Sequence, residues 1–185
     1  MRWTLKPQPE KEKVEKLAKE LQVNSTIASI LCQRNIETFE DAKNYFRPNL
    51  EQIHDPFLMK DMDVAVSRIE TAIANNENIL IYGDYDVDGT TAVSLVSSYL
   101  KTIYSNIATY IPDRYAEGYG VSYKGIDFAH DNDFSLIIAL DCGIKAIEKV
   151  AYATKKNIDF IICDHHKPGP EIPKAIAVLN AKRND

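Results

Sequence analysis

Acidic residues and histidines come directly after three apolar segments of the chain, and carboxylates and imidazoles are side chains that can bind metal ions. The three groups are Asp84-Tyr85-Asp86-Val87-Asp88-Gly89 after the apolar residues 79–83, Asp141-Cys142-Gly143 after 136–140, and Asp164-His165-His166 after 160–163. In an open parallel sheet the carboxyl ends of the strands share one crevice, where ligands bind. If the three apolar segments are such strands, the sequence predicts a site for hard divalent cations at that edge.

The first group places three carboxylates, Asp84, Asp86 and Asp88, within one turn, where they repel one another unless a cation neutralises them. Oxygen ligands suit magnesium or manganese. Gly89 would allow a tight turn, and Thr90 would begin a helix whose amide groups can hold an anion. A calcium loop of the EF-hand type is excluded, because its twelfth position requires a glutamate and is Leu95 here.

The second and third groups add one aspartate and two adjacent histidines. Taken alone, Asp141 could equally be a helix cap. His165 and His166 would point in opposite directions on an extended segment, so that one binds metal while the other faces substrate. Cys142 and Cys163 are softer ligands than an oxygen-rich site requires, and we interpret them as packing residues at strand ends.

Elements that could position these groups alternate along the second part of the chain. Helices are predicted from residue 62, marked by Val64, Ile69 and Ile73, and at residues 90–104 and 144–155. Strands are predicted at 79–83, 107–111, 134–140, 158–163 and 175–179. Strands that are apolar almost throughout, alternating with helices, are typical of a parallel sheet buried on both faces. The predicted fold class is therefore α/β, with a parallel sheet covered by helices on both faces.

A small helical segment is predicted before this domain. Apolar residues recur at helical spacing between Glu10 and Leu21, Asn24 is positioned to cap a second helix, and Thr38 begins a third that Pro48 ends. We expect this segment, residues 1–60, to serve packing and positioning rather than chemistry. The predicted catalytic domain is then residues 61–185.

Composition limits the class of protein. The 185 residues are 45% hydrophobic and 26% charged, with a net charge of −5, so any contact with nucleic acid has to be local. No apolar run reaches the roughly 20 residues of a membrane span. Three cysteines without Cys-x-x-Cys spacing argue against a disulfide framework and a thiolate zinc site. Met1-Arg2-Trp3-Thr4 is followed by charged residues rather than a signal sequence, so we expect a cytoplasmic protein.

The three groups, in this order, resemble the successive motifs of the DHH phosphoesterases. The segment from Ile111 to Gly120, which contains Arg114-Tyr115-Ala116-Glu117-Gly118-Tyr119-Gly120, is similar to that of the bacterial exonucleases in this superfamily that are specific for single-stranded DNA. The resemblance covers nearly the whole chain. It implies 5′→3′ hydrolysis of single-stranded DNA with two Mn²⁺ or Mg²⁺ ions, in recombination and repair, with helicase or single-strand-binding protein as possible partners.

The resemblance also implies residue roles. Asp86, Asp88, Asp141 and His165 match metal ligands, with Asp141 bridging two ions, and Asp84 is an auxiliary acidic position. His166 matches a residue that meets the scissile phosphate, and Arg114 and Gly118 lie in the motif on the substrate side. Water activated between the ions would attack phosphorus in line, without a protein nucleophile.

The sequence departs from the family pattern in two places. Two alternative functions are also compatible with it. Tyr82 stands where many members carry a histidine ligand, and the sequence stops after Asn180-Ala181-Lys182-Arg183-Asn184-Asp185, as expected for a fragment of a longer protein that supplies a further acidic metal ligand. A small-molecule phosphoesterase of the same superfamily (an oligoribonuclease, cyclic-dinucleotide phosphodiesterase or pyrophosphatase) is one alternative. A non-catalytic binding module is the other.

Overall fold

The computed structural model describes residues 3–184, so Met1, Arg2 and Asp185 lie outside the described part. The chain divides into two compact units, one ending at His54 and the other beginning at Asp55. The sequence analysis placed the division at residue 60, a few residues later. Each unit has its own hydrophobic core.

The first unit contains three α-helices, as predicted. They are α1 (Lys11–Leu21), α2 (Ser25–Cys32) and α3 (Phe39–Phe46), followed by a short 3-10 turn at Leu50–Gln52. The Asn24 side chain accepts a hydrogen bond from the amide of Ile27 and so caps α2. Thr38 and Asp41 form a reciprocal capping box at the start of α3. The buried residues of this unit are Val14, Leu17, Ala28, Leu31, Cys32, Ile36 and Ala42.

The second unit is an α/β domain built on one five-stranded sheet. After a 3-10 turn at Pro56–Leu58, its elements are α4 (Met62–Ala74), β1 (Asn78–Gly83), α5 (Val87–Leu100), β2 (Ile107–Tyr110), α6 (Tyr123–Asp131), β3 (Phe134–Leu140), α7 (Ile147–Lys155), β4 (Asp159–Cys163) and β5 (Ala177–Leu179). The strand order is β2-β1-β3-β4-β5, and every adjacent pair is parallel. The predicted fold class is confirmed.

The two faces of the sheet have separate cores because side chains alternate along each strand. Leu80 and Tyr82 of β1 lie on the face that packs against α6 and α7, whereas Ile79 and Ile81 lie on the face that packs against α4 and α5. All four are fully buried. Helices on both faces explain why these strands are apolar at every position.

Two helices differ markedly from the sequence prediction, and a third, α7, begins at Ile147 rather than at Ile144. The helix expected at residues 90–104 is α5, which begins at Val87 and ends at Leu100, because Asp86 rather than Thr90 adjoins its first turn. Helix α6 was not predicted. Ser122 caps it by accepting a hydrogen bond from the Gly125 amide, and Gly125, a poor helix former, lies inside it.

The amino ends of the strands are joined by Arg68 of α4. Its guanidinium donates to Glu77, just before β1, at 2.6 Å and to Asp159 of β4 at 2.7 Å. Arg68 and Glu77 are mostly buried, with side chains 15% and 21% exposed. These ion pairs tie α4 to the end of the sheet opposite the acidic groups.

Across the described residues, none of the helices combines the length and apolar character needed to cross a membrane.

Candidate metal centre

The three acidic groups meet at one edge of the sheet because their strands are neighbours. Gly83, the last residue of β1, pairs with Leu140 of β3, and Leu140 pairs with Cys163 of β4. The residues that follow therefore leave the sheet side by side. This is the arrangement that the sequence predicted.

Asp141, His165 and His166 form a cluster with potential ligand atoms that all lie within 4.8 Å of one another. The Nε2 atom of His165 is 3.1 Å from Oδ1 of Asp141, whose side chain is nearly buried. Asp141 has φ of 60°, a left-handed conformation that is uncommon for residues other than glycine. Its amide donates to the carbonyl of Cys163 at 2.8 Å, so Asp141 is held at the strand end and does not cap a helix.

The expectation that His165 and His166 point in opposite directions is wrong. Their ring centroids are 4.7 Å apart, so both imidazoles lie on the same side of the chain. The reason is Asp164, whose Oδ1 accepts hydrogen bonds from the amide of His166 at 2.9 Å and from its Nδ1 at 2.7 Å. These bonds turn the chain after β4, so the alternation of an extended segment no longer applies.

Asp164 connects the residues that follow β4 to the loop that follows β3. Its other oxygen accepts from the amide of Ile144 at 2.9 Å, in the loop after β3. Burial of Asp164 favours the neutral acid, but the hydrogen bonds from His166 and Ile144 outweigh burial and lower its pKa. A carboxylate only accepts, so Nδ1 of His166 carries a hydrogen and Nε2 faces the site.

Asp84 is fully buried, and neither carboxylate oxygen has a hydrogen-bond partner among the described residues. A buried carboxylate without a partner is costly, so it indicates a cation that the protein itself does not supply. Gly89 makes this placement possible, because a Cβ there would lie 2.5 Å from the Asp84 carbonyl oxygen. A tight turn was predicted at Gly89, but Gly89 lies inside α5. A glycine is needed there because the backbone of Asp84 approaches so closely.

Asp86 caps the helix that follows it. Its Oδ1 accepts from the amide of Gly89 at 3.0 Å, and its backbone is extended. The expected anion site on amides beginning at Thr90 is therefore wrong, because α5 starts earlier and Asp86 already occupies one of its first-turn amides. Asp88 lies in the first turn of α5 and is exposed.

The charge around Asp141 favours a bound cation. Burial raises its pKa, and the nearby carboxylates of Asp86 and Asp88 raise it further, against an opposing effect of the two histidines. Each of these carboxylates would be stabilised by a divalent ion placed among them. The electrostatics and the unpartnered Asp84 thus agree that the residues fit a metal.

One open cavity of about 560 Å³ adjoins the cluster. Asp88, Asp141, Asp164 and His165 contribute its polar lining, and the remaining residues are Met59, Met62, Ala92, Cys163 and Leu179. This side of the centre is therefore mainly apolar. It brings Asp88 and His165 to the same space, as expected for a shared site.

Arg114 and Tyr119 lie on the other side of the centre, in the loop between β2 and α6. The Arg114 guanidinium lies over the ring of Tyr85, 5.4 Å from its centroid, a cation–π distance. Tyr85 contacts the ring of Tyr119 edge to face, and the Tyr119 hydroxyl lies 3.3 Å from Nε2 of His166. Burial and the carboxylates of Asp84 and Asp141 raise the pKa of Tyr119 to about 12, so it remains a neutral donor. Arg114 is thus linked to the cluster through aromatic rings.

Gly118 has φ of 80° in this loop and is adjacent to Tyr119. A Cβ at Gly118 would meet no described atom within 4 Å, so its backbone conformation rather than limited space favours glycine.

The structure also shows residues outside the predicted site that support it. Asp164 and Glu117 lie within the motifs but were not predicted as site residues, whereas Tyr119 was expected, with Arg114, Tyr115 and Tyr123, to form a local patch for single strands. Cys142 and Cys163 carry free thiols, and burial raises the pKa of Cys163 to about 12. Such a thiol is protonated and is a poor metal ligand at neutral pH.

Comparisons with known proteins agree with this geometry. The sequence profile of the DHH family, N-terminal domain, matches residues 78–185. The single-stranded-DNA-specific exonuclease RecJ of Bacillus subtilis is 39% identical over 183 residues, 99% of this chain. A crystal structure of exonuclease RecJ bound to manganese aligns with 71% of the chain at 26% identity and a TM-score of 0.65.

A second crystal structure, of RecJ from Thermus thermophilus in complex with Mn²⁺, aligns with 97% of the chain at 21% identity and a TM-score of 0.66, and supports the fold. The chain is much shorter than these relatives. It spans 23% of the length of the Bacillus subtilis protein, and 34% and 24% of the two crystallised chains.

Proposed function

This chain belongs to the DHH family, and on that premise we propose that it supplies the metal-binding part of a 5′→3′ exonuclease acting on single-stranded DNA. The reaction is hydrolysis of the phosphodiester bond with two bound Mn²⁺ or Mg²⁺ ions. The relative from Bacillus subtilis is a single-stranded-DNA-specific exonuclease, and the solved exonuclease that is 26% identical to this chain holds manganese. A role in recombination and repair, in the cytoplasm and beside a helicase or a single-strand-binding protein, is part of the same proposal.

The observation that carries the proposal is the buried, unpartnered carboxylate of Asp84 beside a cluster of ligand atoms. Asp84 has no exposed surface, and the potential ligand atoms of Asp141, His165 and His166 lie within 4.8 Å of one another. A purely structural acidic turn would be solvated or paired with a cationic side chain. A centre for divalent cations accounts for both features.

The mixed set of donors suits manganese. Carboxylates suit magnesium and manganese, and imidazole is found with transition metals. Asp86, Asp88, Asp141 and His165 would hold the ions, with Asp141 between them and Asp84 as an additional acidic group beneath. When bound, such ions polarise the phosphate and activate water for attack on phosphorus.

The remaining residues would hold and orient the substrate. Asp164 fixes the ring of His166, so that its Nε2 and the Tyr119 hydroxyl face the same place. We propose that the scissile phosphate lies there beside His166, with the Tyr119 hydroxyl as the donor to a phosphate oxygen. Arg114 offers a planar guanidinium suited to phosphate. The rings of Tyr85 and Tyr119 offer surfaces on which nucleobases can stack, a common device for single strands.

Metal binding is the first test, and it needs only this chain. We expect millimolar MnCl₂ to raise the melting temperature, because an ion that binds only the folded state stabilises it by mass action. Asp88→Asn should abolish most of this effect, whereas Asp131→Asn, at the end of α6 that leads to the opposite edge of the sheet, should not. Identical melting curves with and without manganese would contradict a preformed centre.

Cleavage products are the second test. Single strands labelled at either end, and a labelled dinucleotide, should be incubated with manganese and either this chain or a longer protein that includes it. Shortening from the 5′ end supports the proposal, and exclusive cleavage of the dinucleotide would favour a small-molecule phosphoesterase. Because the chain carries net charge −5, we expect its own affinity for single strands to be weak and to fall steeply with salt, with little processive cleavage.

A further inference from the structure

The loop of residues 113–122, which joins β2 to α6, carries Arg114 and Tyr119 past the metal centre. We call it the substrate loop. It contains no regular helix or strand, so its shape depends on hydrogen bonds from side chains. Two residues, Tyr82 and Glu117, supply most of these bonds.

Tyr82 lies in β1, and its side chain is fully buried. Its hydroxyl donates to the carbonyl of Gly120 at 3.0 Å and accepts from the amide of Ser122 at 3.1 Å. Both partners are backbone groups of the substrate loop, about 40 residues away in sequence. The ring is stacked on Tyr110, and a phenylalanine could fill that space. The role of the Tyr82 hydroxyl is therefore to hold the substrate loop.

Glu117 closes the loop from inside. Its Oε2 accepts from the Ser122 hydroxyl at 2.6 Å and from the Tyr110 hydroxyl at 2.9 Å, while Oε1 accepts from the Asp113 amide at 2.9 Å. One carboxylate thus joins both ends of the loop to the last residue of β2. Burial opposes its charge, but the bonds from Ser122 and Asp113 outweigh burial and lower the pKa of Glu117.

The loop has to be held because glycines border Tyr119. Gly118 has φ of 80° and Gly120 has φ of 76°, and glycine loses more conformational freedom on folding than other residues. Tyr119 is 54% exposed, and its hydroxyl is 3.3 Å from His166. The bonds to Gly120, Ser122 and Asp113 restrain the loop on both sides of Tyr119, together with the amides of Tyr115 and Ala116, which donate to the Asp113 side chain.

We propose that Tyr82 and Glu117 are positioning residues that set the affinity for nucleic acid by fixing the substrate loop. Tyr82 acts from a position where a metal ligand was considered on sequence grounds, but its hydroxyl is engaged by the loop rather than by the centre. The effect on affinity rests on the proposed function. The effect on the loop does not.

The experiment compares Tyr82→Phe and Glu117→Gln with the unmodified chain. Tyr104→Phe is the matched control, since its hydroxyl also bonds a carbonyl, that of Glu77, but before the start of β1. Hydrogen–deuterium exchange measures the amides of the substrate loop. We expect exchange of the loop in both variants to be about tenfold faster, as one lost hydrogen bond predicts, with Tyr104→Phe unchanged there. Unchanged loop exchange in both variants would overturn the proposal.

Binding supplies a second readout that general destabilisation would not reproduce. Affinity for a short 5′-phosphorylated oligothymidine should be about tenfold weaker in both variants at a temperature where all proteins are folded, while affinity for Mn²⁺ is unchanged. Oligonucleotide affinity equal to that of the unmodified chain would refute the positioning role. If the unmodified chain binds manganese but no oligonucleotide, the effect of Tyr82 and Glu117 on affinity is refuted for this chain, while the proposed role of the chain as the metal-binding part stands. Loop exchange then decides whether Tyr82 and Glu117 fix the loop.

Discussion

Replacing Gly89 by alanine tests how the first acidic group is held, since two effects of opposite sign can be compared. In a helix interior this change normally stabilises by about 1 kcal/mol. Here the added Cβ would lie 2.5 Å from the carbonyl oxygen, 2.7 Å from the nitrogen and 2.9 Å from the carbonyl carbon of Asp84. All three are backbone atoms and cannot rotate away.

The size of the effect follows from the displacement required. Restoring an ordinary contact of about 3.5 Å to the oxygen moves the backbone apart by about 1 Å. Inserting an extra group into a tightly packed place usually costs about 1–3 kcal/mol, and a rigid obstacle argues for the upper end. After subtracting the helix gain, we expect the second unit to lose about 2 kcal/mol of unfolding free energy, or about 5 °C in melting temperature.

The assay is urea unfolding followed by circular dichroism, together with a manganese titration. Manganese affinity should also fall, because the same displacement moves the carboxylates of Asp84 and Asp86. Gly169→Ala is the control, since a Cβ there would meet its nearest atom at an ordinary 3.5 Å. A Gly89→Ala protein as stable as the unmodified chain, with unchanged manganese affinity, would show that α5 and the Asp84 backbone are not held in this contact.

Three further expectations concern charge. Asp141→Asn should remove the thermal response to manganese. Without metal the variant should be more stable than the unmodified chain, because the raised pKa of Asp141 means that its ionised form costs stability at neutral pH. A less stable variant would contradict this electrostatic explanation. Arg68→Ala should lower the unfolding free energy by about 2–3 kcal/mol, because it leaves the carboxylates of Glu77 and Asp159 without their cationic partner, while manganese affinity stays unchanged. As a control, Lys43→Ala at an exposed ion pair should cost less than about 0.5 kcal/mol. Similar losses in both variants would contradict this expectation. The lowered pKa of Asp164 contributes stability that is present above the ordinary pKa of 3.8 and is lost as pH falls through the lowered pKa. The difference in unfolding free energy between the unmodified chain and Asp164→Asn should therefore shrink below about pH 4 in acid titrations. A difference that stays constant would contradict this contribution of Asp164.

The fold and the place of the site could be predicted because their signals are local. Strands β1, β3 and β4 are apolar at nearly every position, which predicts a sheet buried on both faces, and the polar groups at their ends mark the carboxyl edge. The helix caps at Asn24 and Thr38 were also predicted, since a cap involves residues three apart. Helix α6 was missed, and the glycine inside it, Gly125, disfavours a helix.

Side-chain directions at the edge could not be predicted in the same way. Asp164 turns the chain so that His165 and His166 face one side, and Asp86 rather than Thr90 sets the beginning of α5. Both depend on which hydrogen bond a polar side chain makes when several backbone amides are within reach. An alternation rule assumes an extended chain and fails where such a bond bends it.

The sequence by itself determined an α/β sheet and which three strand ends carry the carboxylates and histidines. Only the tertiary structure decided that Asp84 is buried without a partner, that Gly89 leaves room for its backbone, and that Tyr82 holds the substrate loop rather than joining the metal ligands. The physical reason is range. Apolar periodicity is set by neighbours within one element, whereas burial and hydrogen bonds such as that from Tyr82 to Gly120, 38 positions apart, exist only once the sheet has brought the residues together. The approach of Gly89 to Asp84 is local, but it depends on where α5 begins, which the hydrogen bond from the Gly89 amide to Asp86 decides.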